Sequence, residues 1–294
     1  MTFISYLERV KHQFDMNHFL DRRLKKKFKL KMGYDLNLEN PRTFSEKIQW
    51  MKLHYRNPLM TTCADKFLVR KYVINKLGTD DILVPLYGVY KGTKEINIAS
   101  LPAQFVLKPN NGSGDVVICQ SKDNFDWGKA YRQLDASLNN NYFYANGEWQ
   151  YKNIIPKITC EQFLGNNMTD YKFFCFKGKP LFCNVIGNRN RVAKSIDECF
   201  YDCDYNVLEI YQNGKHKEFP KPQNWAAMIE VAKKLSTDFP FVRVDLYNVN
   251  GQIYFGELTF TPANGMVQWH PISWDYKLGD LIHLDRIDPD FIKK

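Results

Sequence analysis

The chain has 294 residues, with 41 lysines and arginines against 32 aspartates and glutamates, a formal charge of +9, and 44% hydrophobic and 15% aromatic content. That length supports a buried core in one large folding unit or two modest ones. A charged quarter with both signs interspersed excludes a disordered or fibrous chain, and no apolar run approaches the roughly 18 to 20 residues of a membrane span, so a soluble globular protein is expected.

The opening Met1-Thr2-Phe3-Ile4-Ser5-Tyr6-Leu7-Glu8-Arg9 meets charged residues before an apolar core of about 7 to 15 residues can form, so no secretory leader is expected and a cytoplasmic location is predicted. The seven cysteines (63, 119, 160, 175, 183, 199 and 203) are odd in number and contain no Cys-x-x-Cys. Most sit in apolar runs such as Phe173-Phe174-Cys175-Phe176, which reads as reduced, buried thiols and not as disulfides or zinc ligands.

The first predicted element is a basic helix. Between Arg22 and Lys31 lie Arg22, Arg23, Lys25, Lys26, Lys27, Lys29 and Lys31 with no acid; these seven charges leave +2 of the +9 for the rest of the chain. Most of the protein therefore has no basic excess to follow a phosphate backbone, and no nucleic-acid partner is expected. Met16, Leu20, Leu24, Phe28 and Met32 recur every four residues, an apolar stripe with the lysines outside it. The charged face is either a solvated surface or a contact for an acidic polymer or the anionic inner face of a membrane.

Asn40-Pro41-Arg42 then breaks the chain, and Thr43-Phe44-Ser45-Glu46 has capping-box spacing, predicting a helix from Phe44 to His54. A third helix is predicted from near Asp65 to Leu77, stopped by Gly78. Strand signals follow at Ile82 to Tyr90, Phe105 to Lys108, Val116 to Cys119, Lys157 to Phe163, Tyr171 to Phe176 and Pro180 to Gly187. Helical stretches interrupt them at Trp127 to Leu138 and Trp225 to Ser236. Finally Phe241 to Tyr247 and Gln252 to Thr259 flank Asn250-Gly251, a strong hairpin signal. Short turns at Lys177-Gly178, Asn213-Gly214 and Asn250-Gly251 point to largely antiparallel sheets in an α+β arrangement.

Three constellations bear chemistry. Phe105 to Lys108 delivers a lysine into Pro109-Asn110-Asn111-Gly112-Ser113-Gly114, and glycines let backbone amides approach phosphate oxygens. The segment lacks G-x-x-x-x-G-K-[ST] and no helix follows it, so it is not a P-loop, and a plain polar hairpin remains an alternative. On the terminal hairpin, Arg243, Asp245, Glu257 and Thr259 alternate with apolar residues, and carboxylates from neighbouring strands can hold Mg²⁺ against phosphates. A two-residue loop pairs Val249 with Gln252 and sends Asp245 and Glu257 to opposite faces; a three-residue loop puts them on the same face. The third is Cys160-Glu161-Gln162-Phe163-Leu164 followed by Asp170-Tyr171-Lys172, an acid and a lysine on successive strands.

In order along the chain, these pieces resemble the ATP-grasp superfamily, in which two α+β subdomains close on ATP and activate a carboxylate as an acyl phosphate. Asn40 to Ile48, Ala64-Asp65-Lys66-Phe67-Leu68-Val69-Arg70, Leu101-Pro102 with Phe105 to Lys108, Asp170-Tyr171-Lys172, and Val242 to Tyr247 with Gly256-Glu257-Leu258-Thr259 resemble its TupA-like family of teichuronopeptide and surface-polysaccharide biosynthesis. The resemblance runs from about residue 40 to 275. It implies an ATP-grasp fold of two mainly antiparallel α+β subdomains, at residues 61–165 and 166–294, behind a basic helical extension at 1–60. It implies that Lys66, Lys108, Gly112, Ser113 and Gly114 contact ATP, that Glu161, Gln162, Phe163 and Leu164 form the adenine-side hinge, and that Asp245 and Glu257 hold Mg²⁺. Lys172, Arg189, Arg191 and Arg243 would meet the acyl phosphate, the carboxylate or the transferring phosphoryl group, which suits guanidinium chemistry. Two departures stand out: Thr259 occupies the place of a common metal-ligand asparagine, and the usual N-terminal α/β domain is replaced by about 60 basic, helical residues.

The implied activity is an ATP-dependent carboxylate-amine ligase joining an amino acid or amine to a uronic-acid carboxyl of a saccharide. Positioning and charge neutralisation dominate such chemistry, so no protein nucleophile is needed. Alternatives are a glycosyltransferase on the same polymers and a carbohydrate or membrane-surface binding module. His270 reads as structural or as a base for the incoming amine. Trp269, Trp274 and Tyr276 read as core aromatics or as a stacking surface for a sugar ring.

Overall fold

The computed structural model describes residues 19–293 apart from 113, 167, 191, 192, 194 and 213. Ser113 and Arg191 of the expected site, and Met16 of the first helix, lie outside the described residues.

The basic helix is α1 (Leu20–Met32), ended by Gly33 at a left-handed φ of 82°. Its stripe is spent inside the protein: Leu20, Leu24 and Phe28 form a small core with Leu36, Phe143 and Met266. Lys25, Lys26, Lys29, Lys31 and Leu30 stay exposed, while Lys27 is half-buried and donates to the Ala145 carbonyl. Helix α2 (Phe44–His54) opens with the expected capping box, Thr43 accepting from the Glu46 amide and Glu46 accepting from Thr43. The third helix differs from expectation. A separate helix α3 (Pro58–Ala64) precedes α4 (Val69–Leu77), and the Asp65 carboxylate accepts from the amides of Phe67 and Leu68 between them. Asp65 thus builds a turn where the pattern suggested a helix start. The N-terminal helices are not an appendage: Phe44, Ile48, Met60, Cys63, Tyr72 and Val73 belong to the main core, with Phe44 edge-on to Phe241 and Trp269.

Two sheets follow. The first has the order β1-β4-β2-β3, all antiparallel, from β1 (Leu86–Tyr90), β2 (Phe105–Pro109), β3 (Val117–Cys119) and β4 (Ile158–Gln162). The strand expected from Ile82 begins only at Leu86, since Pro85 cannot donate to a ladder. Helix α5 (Trp127–Leu138), capped by Asp126, covers one face, where Phe105, Leu107, Cys119 and Cys160 meet Ala130 and Leu134. A short helix α6 (Tyr142–Asn146), not expected from the sequence, packs Phe143 against α1.

The second sheet has the order β10-β9-β5-β6-β7-β8. It comprises β5 (Thr169–Phe176), β6 (Lys179–Asn190), β7 (Ser195–Asp202), β8 (Lys215–His216), β9 (Phe241–Val249) and β10 (Gln252–Thr259). Strands β7 and β8 were not foreseen. They pair parallel, so no hairpin forms across the Asn213-Gly214 position; instead the Gly214 amide donates to buried Glu198. Helix α7 (Trp225–Ser236) covers one face of this sheet through Trp225, Met228, Ala232 and Leu235. Helix α8 (Ser273–Asp280) packs Gly279 so closely on the chain before α2 that a Cβ there would collide with the Arg42 carbonyl. The seven cysteines are free and all but Cys203 are buried, as expected.

Candidate functional site

Strand alternation places the polar residues of the second sheet on one face. Lys172 lies opposite Asp245, Asp170 opposite Tyr247, and Asn184 opposite Lys172. The terminal hairpin resolves its register in a way that neither loop length anticipated. Its turn is the two-residue Asn250-Gly251, with Val249 opposite Gln252. A bulge then interrupts β10 between Phe255 and Glu257, making Gly256 the extra residue and setting Glu257 directly opposite Asp245. The two carboxylates share a face after all. Only glycine fits the bulge, because a Cβ at Gly256 would lie 2.9 Å from the Asp245 carbonyl oxygen and 3.2 Å from the Tyr247 ring.

A tight ionic cluster results. Arg243 donates through Nε and a terminal nitrogen to the two oxygens of Asp245, both at 2.7 Å, and Lys172 donates to Asp245 Oδ2 at 2.6 Å. Burial alone would raise the Asp245 carboxyl, but Arg243 and Lys172 outweigh it and hold it below the usual carboxylate range. Burial opposes the Arg243 charge too, and Asp245 more than offsets that, raising the guanidinium. Arg243 also donates to Thr259 Oγ1 at 3.0 Å, and that hydroxyl donates to Glu257 at 2.9 Å. Thr259 is thus a bridge between the cluster and Glu257. At the far end Arg189 donates to Asp170 through two nitrogens, Nε at 2.8 Å.

The first sheet contributes from its open face, the one opposite α5. Lys108 pairs with Glu161 at 2.6 Å across neighbouring strands. Lys66 donates to the carbonyl of Gly112 in the glycine loop. Burial lowers the Lys66 ammonium; Glu257 opposes that most, Lys108 adds to it, and Glu161 and Asp65 oppose it. Charges from both sheets therefore face one another around Lys66. The loop is anchored by Asn110, fully buried, whose amide donates to Asp65 at 2.8 Å while its oxygen accepts from the Lys157 amide at 2.7 Å. Gly112 sits where a Cβ would press into the Tyr142 ring at 2.6 Å. Gln162 ends β4, and the chain through Phe163, Leu164 and Gly165 passes from one sheet to the other before β5, a link suited to a hinge.

Sequence reasoning missed several members of this arrangement: Asp65 and Asn110 as the loop's anchors, Asp170 as the partner of Arg189, and Asn184, whose Oδ1 is buried without a partner. Asn110 and Asp170 sit inside quoted motifs, so their polar character among apolar strand residues was the available signal. Among the described residues, no group of three or more His, Cys, Asp or Glu side chains is gathered to hold a metal.

The model of the family described as TupA-like ATP-grasp matches residues 46–283. The chain belongs to the TupA-like ATP-grasp family. That membership makes it an ATP-grasp protein, as the order of its motifs implied, and sets aside the glycosyltransferase alternative. Solved structures similar to this TupA-like chain include an L-amino acid ligase from Bacillus licheniformis, at 16% identity and TM-score 0.44 over 69% of this chain and 44% of that one. Others are a D-alanine–D-alanine ligase from Bacillus anthracis complexed with ATP, at 19% and 0.43 over 75% and 63%, and D-alanyl-alanine synthetase A from Vibrio cholerae, at 11% and 0.45 over 76% and 63%. The chain thus spans between 44% and 63% of the length of these proteins. No curated protein matches it. No described helix is long and apolar enough to cross a membrane.

Proposed function

We propose that this chain is an ATP-dependent carboxylate-amine ligase that joins an amino acid or other amine to a uronic-acid carboxyl. The setting would be bacterial surface-polysaccharide biosynthesis, such as capsule, O-antigen or teichuronopeptide. The observation that carries the reading is the bulge at Gly256, which sets Glu257 opposite Asp245 beside Lys172 and Arg243, facing Lys66 of the glycine-loop side.

In this reading Lys66, Lys108 and the loop from Gly112 to Gly114 neutralise the phosphates of ATP, and the link from Glu161 to Leu164 borders the base. Lys172 and Arg243 meet the transferring phosphoryl group, while Arg189, with Arg191, orients the carboxylate. The carboxylate oxygen takes the γ-phosphoryl and ADP leaves. The amine then attacks the acyl carbon, the bond to the phosphate oxygen breaks, inorganic phosphate departs, and the amine proton passes to solvent. These cations do their work by charge and placement, with no covalent protein intermediate.

Mg²⁺ commonly binds through one or two carboxylates plus phosphate oxygens and water, so the pair Asp245 and Glu257 fits it, whereas an all-protein cage would not be met. Held there, the ion would supply positive charge to offset that of the phosphates. Glu257 is the more available ligand, since both oxygens of Asp245 are engaged by Arg243 and Lys172. Lys25, Lys26 and Lys31 of α1 are exposed and would face an acidic polymer or an anionic inner membrane surface, while Lys27 donates to the Ala145 carbonyl and Lys29 pairs with Asp35.

The test is a thermal shift with Mg·ATP against UDP-sugars, followed by mass spectrometry of a reaction containing uronic-acid acceptors and an amino-acid mixture. Stabilisation by Mg·ATP alone together with a new amide is expected. Stabilisation by UDP-sugars and not by ATP, or ADP release with no amide across the acceptor set, would overturn the ligase reading.

A further inference from the structure

A second concave site lies away from the ionic cluster. It is a pocket of about 330 Å³ lined by Tyr34, Thr43, Gln268, Trp269, His270 and Tyr276, among others. None of these belongs to the proposed ATP or metal sets. Trp269 forms its inner wall and separates it from the cluster: the other side of the indole packs on Phe174 and Phe182, and Phe174 is the ladder partner of Arg243. The pocket therefore sits on the same side of the six-stranded sheet as the charged row, beyond an aromatic plug.

We propose that this pocket binds a pyranose ring of a carboxylated, polyanionic saccharide, whose chain continues along the basic face of α1. The proposal deepens the ligase reading by locating where the acceptor polymer is held, and in its polymer identity it rests on that reading.

Three features carry it. The first is the lining. Tyr34 and Tyr276 line the pocket, and Tyr276 is 46% exposed; an aromatic ring face is electron-rich and attracts the partly positive C–H groups on one side of a sugar. Polar groups alternate with the rings: the hydroxyls of Tyr34 and Thr43 stand 3.3 Å apart, and the Trp269 indole N–H is buried with no acceptor. An aromatic wall with a few convergent hydroxyls and amides suits an amphipathic ring better than a flat lipid headgroup layer. The second is charge at the rim. The Arg42 guanidinium lies 6.0 Å from the centre of the Tyr276 ring, which lines the pocket. Among the described residues Arg42 has no acidic partner within ion-pair distance. A guanidinium beside a stacking ring is placed for a ring-borne carboxylate. The third is continuity with α1. Gln268 donates to the Lys31 carbonyl at 2.9 Å, and Met32 lines the pocket, so the pocket opens at the end of the lysine row. A helix of 13 residues extends about 20 Å, a track for repeated negative charges and more than a single small anion requires.

The test uses the full chain and tetragalacturonate as probe, titrated by calorimetry without nucleotide, at low and high salt, with neutral maltotetraose as control. Tetragalacturonate should bind, more weakly at high salt, and maltotetraose should not. Arg42→Gln should weaken binding about tenfold, and Tyr276→Ala at least as much. Both variants should keep the wild-type melting temperature and its response to Mg·ATP, since neither residue touches the cluster. Equal binding of the neutral sugar, no binding of tetragalacturonate, or unchanged affinity in both variants overturns the proposal. So does retention only of anionic phosphatidylglycerol vesicles, insensitive to Tyr276→Ala, which would make the basic face a membrane contact. Failure of the nucleotide reading shows itself separately, as a wild-type protein that binds tetragalacturonate but is not stabilised by Mg·ATP.

Discussion

Asp245 and Glu257 face one another across the bulge, yet their removal should have unequal consequences for the fold. The Asp245 side chain is 4% exposed and compensates two cations, Lys172 and Arg243, each 14% exposed. Asp245→Asn keeps the shape but leaves both cations buried without their shared counter-charge. Breaking a buried pair from one side typically costs about 3 to 5 kcal/mol. Taking about 3 kcal/mol, and about 2 °C of melting temperature per kcal/mol for a chain of this size, the variant should melt about 6 °C lower. Glu257 is 35% exposed, touches Arg243 only at 3.6 Å and otherwise accepts from Thr259. Glu257→Gln retains an acceptor for that hydroxyl and should cost less than about 1 kcal/mol. Both substitutions should abolish Mg·ATP-dependent amide formation. The assay pairs urea denaturation, read for midpoint and slope, with mass spectrometry of the product. Equal destabilisation by the two variants, or an Asp245→Asn protein as stable as the parent, would refute the assignment of Asp245 as the internal counter-ion. Full activity of both would refute their joint role.

Gly256→Ala should cost about 1 to 3 kcal/mol, since the new methyl meets backbone at 2.9 Å, and should lower turnover far more than nucleotide affinity because it displaces Glu257; an unchanged rate would show that the bulge is not needed. Burial raises the Asp275 carboxyl from 3.8 to about 6, while Ser45 donates to one oxygen and the other has no partner. The folded state therefore binds a proton that the unfolded state releases between pH 4 and 6, so stability should fall by up to about 3 kcal/mol as pH rises through that window; Asp275→Asn should flatten this dependence in denaturation curves at pH 4, 5, 6 and 7. Phe28→Ala, in a fully buried position of α1, should cost about 3 to 5 kcal/mol, whereas Lys25→Gln with Lys26→Gln, both exposed on the same helix, should shift the melting temperature by no more than about 1 °C.

Helices α5 and α7 begin and end where their periodicity and flanking residues say, because each lays one apolar stripe on one sheet face and little else competes. Residues 65–68 went the other way. A helix-like spacing of Val69, Tyr72 and Val73 continues backward to Asp65, but a single carboxylate bonded to two amides forms the turn. Strand β7 and helix α8 escaped notice because their burial is decided by distant partners: Phe200 and Trp274 acquire an inside only when Phe182 stands opposite them. At the site, residue types and their order were legible, and so was the choice between two registers. The bulge was not, since counting residues along a hairpin assumes an unbroken ladder, and the signal for its break is one glycine beside a backbone carbonyl some ten residues away in sequence. The pairing of Lys108 with Glu161 and the sharing of Asp245 by Arg243 and Lys172 depend on strand neighbours that local pattern does not reveal.

The shared use of Asp245 also bears on what the resting protein attracts. The cations of the site are answered from within: Lys108 by Glu161, Lys172 and Arg243 by Asp245, Arg189 by Asp170, and Lys66 by the Gly112 carbonyl. Such a self-screened basin offers little net pull to a stray phosphate or sulfate, which would have to prise a lysine from its carboxylate and leave that carboxylate stranded. On the proposed Mg²⁺ reading, a phosphate ligand accompanied by its divalent cation would avoid this cost, since Asp245 and Glu257 would hold the metal while the lysines and Arg243 answer the phosphates. On that proposed reading, the exchange of partners would let the site discriminate between a bare anion and a metal-bound one before any chemistry begins.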